Sequence, residues 1–167
     1  TWSVPVTIAT EDLLPKLHRD PDFLTRNGFR VFTGRGEDAR EIAPADVDWA
    51  AVDPQRFGYR FVQQPGPVNS LGRIKIAFDN PFDIYIHDTP SKGLFGLRTR
   101  AFSSGCVRLE KAAEFAAELL AGDPNGAGRN VRRVLATPDT RGTLLARPVP
   151  TSTLYLPPQL HAACPCH

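Results

Sequence analysis

Hydrophobic and polar positions alternate most cleanly at residues 73–78, with Ile74, Ile76 and Phe78 on one side and Arg73, Lys75 and Ala77 on the other. A period of two predicts a half-buried strand. Asn80-Pro81 predicts a turn, and residues 84–87 continue as strand with Ile84 and Ile86 read as inward. Tyr85 and His87 then share a side, two rises of about 3.3 Å apart. At residues 110–120 the period changes: Leu109, Ala112, Ala113, Ala116, Leu119 and Leu120 recur at helical intervals, and Glu110, Glu114 and Glu118 share another side. Gly122 is the expected helix stop.

The remaining pattern is weaker. Residues 2–8 read as a short strand, and Thr10 as the cap of a helix through Leu13, Leu14 and Leu17 that starts late because of Pro15. Residues 21–26 read as a short helix stopped by Asn27-Gly28, and 29–32 as a strand. Residues 37–57 show no steady period and predict irregular chain with one turn at 45–49. A short helix is expected at 130–136, with closing strands at 143–146 and 151–156.

Composition narrows the class. The 167 residues fit one domain; 41% are hydrophobic and 23% charged, which is ordinary for a soluble globular chain. No apolar run has the length of a membrane helix. A net charge of +2 with scattered Lys and Arg argues against a nucleic-acid partner, which a concentrated basic face would mark. The chain contains no Met and opens Thr-Trp-Ser, so it reads as an excised or processed piece with any secretory signal upstream.

The chemistry centres on Cys106, one of three cysteines and far from Cys164 and Cys166. An ordinary Cys, with a pKa near 8.5, is only about 3% thiolate at neutral pH, so a nucleophilic one needs assistance. A helix beginning just after Cys106 is expected to supply partial positive charge and free N–H groups, and His87 to accept the proton. Gly105 lets the backbone approach a reacting carbonyl, so the amides of Gly105 and Cys106 are candidate oxyanion donors, with the Tyr85 hydroxyl as a third. Arg108 is a candidate for fixing the loop or pairing with a substrate carboxylate. Taken singly, each has a plainer reading: a buried Cys, a core His, a packing Tyr, a surface Arg. Cys164-Pro165-Cys166-His167, with His161, has metal-ligand residue types but lacks a second ligand pair and sits at a chain end, so neither metal nor cofactor is expected.

The segments His87-Asp88-Thr89-Pro90, Leu94-Phe95, Arg100-Ala101-Phe102-Ser103-Ser104-Gly105-Cys106-Val107-Arg108 and Asn69-Ser70-Leu71-Gly72 resemble the catalytic core of the YkuD-type L,D-transpeptidases. Trp2-Ser3-Val4-Pro5, Leu14-Pro15-Lys16-Leu17 and Gln64-Pro65-Gly66-Pro67 are similar to the large Gram-negative periplasmic subgroup. The resemblance runs from the first residue to about Leu156, and the His-to-Cys interval, 106 − 87 = 19, fits it.

That resemblance implies a mainly β (α+β) sandwich with a helix following the catalytic Cys, a catalytic domain over 1–156 that lacks the family's first strands, a capping insert over 10–59, and a disordered tail over 157–167. It implies Cys106 as nucleophile, His87 as base, and Tyr85, Ser104, Gly105 and Arg108 as oxyanion or positioning residues. The family's usual Ser-His-Gly-Cys is Ser103-Ser104-Gly105-Cys106 here, so His87 is left as the sole imidazole and Ser104 can hydrogen-bond without carrying a proton. The implied activity is cross-linking of peptidoglycan stem peptides in the periplasm, through a thioester and with release of D-alanine. Carbapenems are the implied inhibitors and other wall-synthesis enzymes the implied partners. Alternatives are an L,D-carboxypeptidase or wall-amide hydrolase using the same Cys-His pair, and an inactive wall-binding remnant.

Overall fold

The computed structural model describes residues 1–152 apart from 35, 125, 126 and 138. The chain opens with strand β1 (Trp2–Ser3) and a continuous helical run: α1 (Val6–Ile8), a wide π turn (Ala9–Leu13) and α2 (Leu14–Leu17). Pro15 explains the wide turn. It has no N–H and its ring would strike the carbonyl four residues back, and the Leu14 amide reaches back five residues to the Ala9 carbonyl, opening the coil just before the ring. Helix α3 (Phe23–Arg26) follows and ends at Gly28, whose φ of 68° favours glycine.

Strands β2 (Phe29–Thr33), β3 (Arg40–Ile42) and β4 (Tyr59–Gln63) complete an antiparallel sheet of order β1-β4-β2-β3, with Val31 opposite Phe61. Alternation turns Phe29, Val31 and Phe61 onto Leu13, Leu14, Leu17 and Leu24 of the helices, and Trp49 closes the cluster. Each such side chain contributes about 1.5–3 kcal/mol by leaving water. The Trp49 ring meets Phe61 edge to face at 5.6 Å, and its indole N–H donates to the Pro44 carbonyl at 2.9 Å. Residues 10–59, expected as a capping insert, thus carry α2, α3, β2 and β3 and share one sheet with β1 and β4.

The second sheet has order β5-β6-β7, from β5 (Lys75–Ile76), β6 (Ile86–His87) and β7 (Val107–Arg108). β5 and β6 are antiparallel, β6 and β7 parallel. Helices α4 (Ala112–Leu119) and α5 (Ala127–Leu135) follow and pack together. Two mostly antiparallel sheets with short helices make the expected mainly β, α+β fold.

A polar joint connects the sheets. The buried Gln63 amide donates to the Asn27 and Val68 carbonyls, both at 3.0 Å, and its oxygen accepts from the Ser70 amide at 2.8 Å. Asn69 donates to the Gln63 and Gln64 carbonyls and accepts from the Leu71 amide. The buried side-chain polar atoms of the joint thereby all have partners, and the segment leading to β5 is fixed.

Several expectations are corrected. Only Trp2–Ser3 of residues 2–8 is strand, because the chain turns helical at Val6. Thr10 caps nothing; its hydroxyl donates back to the Val6 and Thr7 carbonyls inside the coil. Ile84 and Ile86 are not the inward pair: Tyr85 and His87 are 8% and 5% exposed, the isoleucines more so. The chain after Cys106 is strand β7, not helix, and α4 starts only at Ala112. The helix also stops at Leu120 without a left-handed Gly122. Residues 143–146 form no strand, and the expected strand at 151–156 and tail at 157–167 lie largely or wholly outside the described residues. Strand β3 appears inside the span expected to be irregular, and β4 at Tyr59–Gln63, where no element was expected.

Candidate active site

Strand register assembles the site. Lys75 pairs with His87, and His87 with Arg108, so Cys106, the residue just before β7, stands opposite Tyr85, the residue just before β6. Directly paired residues share a face and residues two apart stay on it. Lys75, Tyr85, His87, Cys106 and Arg108 therefore converge on one face of the second sheet. Side-chain contacts agree: the Tyr85 and His87 rings meet edge to face at 5.8 Å, and the Lys75 ammonium lies 4.0 Å from the Tyr85 ring centroid. The Cys106 thiol and the Trp2 indole both act on the Tyr85 hydroxyl, the first raising and the second lowering its pKa. The Trp2 indole can only donate, so it leaves the Tyr85 proton free.

Local bonding fixes both strands. The turn into β6 is stapled by Asn80, which accepts from the Phe82 and Ile84 amides and donates to the Ile84 carbonyl at 2.7 Å, with Asp83 in the left-handed region at φ 50°. The Val107 amide donates to the Tyr85 carbonyl at 3.1 Å and the Leu109 amide to the His87 carbonyl at 2.8 Å. These bonds hold the Cys-bearing strand against the His-bearing one.

His87 Nδ1 is hydrogen-bonded to the main-chain carbonyl of Asp88. A carbonyl can only accept, so Nδ1 carries the proton and Nε2 is left with its lone pair. Burial pushes the imidazole below its ordinary 6.5, and the charges of Arg108 and Lys75 push the same way, against the Asp88 carbonyl and carboxylate. The ring is thus neutral at pH 7. Burial, the nearby Cys106 and Asp83 push the Tyr85 hydroxyl up to about 12, so it remains a donor.

Asp88 is itself pinned. Its carboxylate accepts from Lys92 Nζ at 2.5 Å and the Arg73 amide at 3.0 Å, and Lys92 also donates to the Leu109 and Glu110 carbonyls at 3.2 and 2.6 Å. One ammonium therefore links the end of the His strand to the end of the Cys strand.

Around the sulfur, Ser103 rather than Ser104 does the bonding. Its hydroxyl donates to the Cys106 carbonyl at 2.7 Å and accepts weakly from the Gly105 amide at 3.4 Å, while Ser104 is exposed. Gly105 has φ 130°, so a Cβ there is strained. Cys106 is half-buried and lines a cavity of about 320 Å³ with Thr89, Leu94, Phe95, Phe102 and Arg108. Sequence reasoning missed Ser103, Lys75, Lys92 and Trp2. Lys75 gave no signal beyond its place on the polar side of an alternating strand, because its pairing with His87 depends on register. Among the described residues no group of three His, Cys, Asp or Glu side chains is placed to hold a metal ion.

Residues 1–131 match the family model of the YkuD L,D-transpeptidase catalytic domain. A Haemophilus influenzae protein, provisionally named an L,D-transpeptidase, is 40% identical over 119 residues, which are 71% of this chain and 23% of that protein. The chain thus spans about a quarter of its relative's length. With a family match over most of its length, the chain belongs to the L,D-transpeptidase catalytic-domain family.

Proposed function

We propose that the chain is a cysteine-dependent acyltransferase that cross-links peptidoglycan stem peptides. The observation that carries this reading is the shared sheet face: the register sets Cys106 beside Tyr85, and the neighbouring His87 has Nδ1 committed to the Asp88 carbonyl and Nε2 free. His87 takes the thiol proton, and the thiolate attacks the carbonyl of the third stem residue. Tyr85 and the Cys106 amide are the donors for the developing oxyanion, the Gly105 amide being turned toward Ser103. Collapse breaks the C–N bond, His87 protonates the leaving D-alanine amine, and a thioester remains. His87 then removes a proton from the amine of a second stem, that amine takes the acyl group, and the thiolate leaves. Activation of the thiol rests on His87 and Tyr85, since the chain after Cys106 is strand β7 and α4 begins only at Ala112.

A wall substrate implies a periplasmic location. Carbapenems, which acylate thiols of this kind, serve as the probe: mass spectrometry of the treated chain is expected to show one adduct on Cys106, absent from Cys106→Ala. An equal adduct on both proteins overturns the role of Cys106.

A hydrolytic reading is favoured by the exposed, irregular segment 100–105 beside the cavity, which lets water reach a thioester. Incubation with a tetrapeptide stem alone separates the two: a transferase yields cross-linked dimers, a carboxypeptidase only tripeptide.

A further inference from the structure

The face that carries Cys106 is flanked by two cations on opposite edge strands, Lys75 on β5 and Arg108 on β7, with His87 paired to both. Neither forms an ion pair with a carboxylate among the described residues. Asp88, next to His87, is taken by Lys92 and the Arg73 amide. Asp83, at the entry to β6, is the carboxylate felt at Tyr85. Arg108 Nε is buried without a hydrogen-bond partner, although a guanidinium has five donors to satisfy. Lys75 is exposed and stands over the Tyr85 ring rather than on a carboxylate. Two uncompensated charges on either side of a neutral His and a thiol create a field that attracts an anion to that face.

We propose that Lys75 and Arg108 form an anion-holding pair that takes a carboxylate of the acyl donor beside the Cys106 thiol. This rests on the acyl-transfer reading of Cys106. Arg108 presents planar paired donors to the carboxylate and Lys75 a mobile point charge, so the first orients the group and the second draws it in. Lys75 is thereby a specificity-determining residue: it favours donors with a free carboxylate over their amides.

The test uses two alkylating agents of the same shape, iodoacetate and iodoacetamide, on the full chain, with labelling of Cys106 followed by peptide mass spectrometry. In both, the thiolate attacks the CH₂ carbon, an S–C bond forms, the C–I bond breaks and iodide leaves; only the charge differs. The ratio of the two rates cancels any change in thiolate fraction. Lys75→Gln is expected to lower the iodoacetate-to-iodoacetamide ratio about fivefold, Arg108→Gln to act in the same direction, and Lys75→Arg to retain the ratio. High salt should shrink the difference. An unchanged ratio in Lys75→Gln overturns the proposal, as does an equal fall of both rates, which would mean that the cations act on the thiol alone. If Arg108→Gln loses its circular dichroism spectrum, Lys75→Gln, altered at an exposed side chain, decides by itself. The probes need no wall peptide. A shifted ratio without stem turnover keeps the pair and removes the wall substrate, whereas an unshifted ratio with intact cross-linking removes the pair alone.

Discussion

His87 gives its Nδ1 proton to the carbonyl of Asp88, its own neighbour in the chain, so the base is oriented by main chain and needs no third side chain. Replacing His87 with Ala should slow acylation of Cys106 by about 10² or more. The acidic limb of the parent's acylation profile should lie below 6.5, because burial and the charges of Arg108 and Lys75 depress this imidazole. The sign for stability is the same. The unfolded chain binds the proton more readily, so stability falls as pH drops below 6.5. Stopped-flow acylation from pH 5 to 8 checks the first, and thermal melts over that range the second.

Lys92 is the tie between the two strands of the site. Lys92→Met removes its bonds to Asp88, Leu109 and Glu110, and should cost about 1–2 kcal/mol after allowance for solvent screening of an exposed ammonium. Burial pushes the Asp88 carboxyl up, but the bonds from Lys92 and from the Arg73 and Thr89 amides outweigh it, leaving the group below its ordinary 3.8. That stability is present above 3.8 and lost as pH falls through the lower folded value. Melts of parent and variant should therefore converge in acid; a constant gap down to low pH would contradict the assignment.

The site was legible where it depends on local alternation and illegible where it depends on register. Two-residue spacing was enough to place Tyr85 beside His87. It could not show that Val107–Arg108 pairs in parallel with Ile86–His87, a contact across some twenty residues of loop, so the chain after Cys106 was read as helix. The inward face was misjudged for a related reason. Ile84 and Ile86 are the more apolar pair, yet the side that carries Tyr85 and His87 is the one the tertiary packing buries. The alternation in Tyr59-Arg60-Phe61-Val62-Gln63 was present and readable, but lay in the shadow of the Pro and Gly residues around it.

Trp2, from the first sheet, acts on the Tyr85 hydroxyl that in turn faces Cys106 across the register, and each residue can be changed separately. Tyr85→Phe keeps the ring and the Lys75 contact but removes the donor, and should slow acylation by about 10- to 100-fold. Trp2→Phe keeps an aromatic ring against Phe29 and removes only the indole N–H, with an expected loss of about 2- to 10-fold. In the double variant the two effects should not add, because Trp2 acts through the hydroxyl that Tyr85→Phe deletes. Full additivity in acylation rates would show that Trp2 reaches the site by another route.

Gly72 reports on the whole supporting shell, since it stands between the Asn69 joint and Asp88. Its φ of 60° belongs to the left-handed region, and a Cβ there would run into the Asp88 carboxylate. Gly72→Ala must therefore both strain the turn and displace the carboxylate, for about 1–3 kcal/mol. Because the Asp88 carbonyl holds His87, the shift should pass to the imidazole, and acylation should slow in variant molecules that remain folded. Removing the acid at position 88 provides the control. Asp88→Ala takes away the carboxylate but keeps the Cβ, 2.7 Å from where the new Cβ would stand, so in the Gly72→Ala, Asp88→Ala double variant the steric part of the cost should shrink while the backbone strain remains. A melting-temperature cycle over the four proteins measures the coupling; if the two losses simply add, Gly72 and Asp88 do not touch in the way the structure shows.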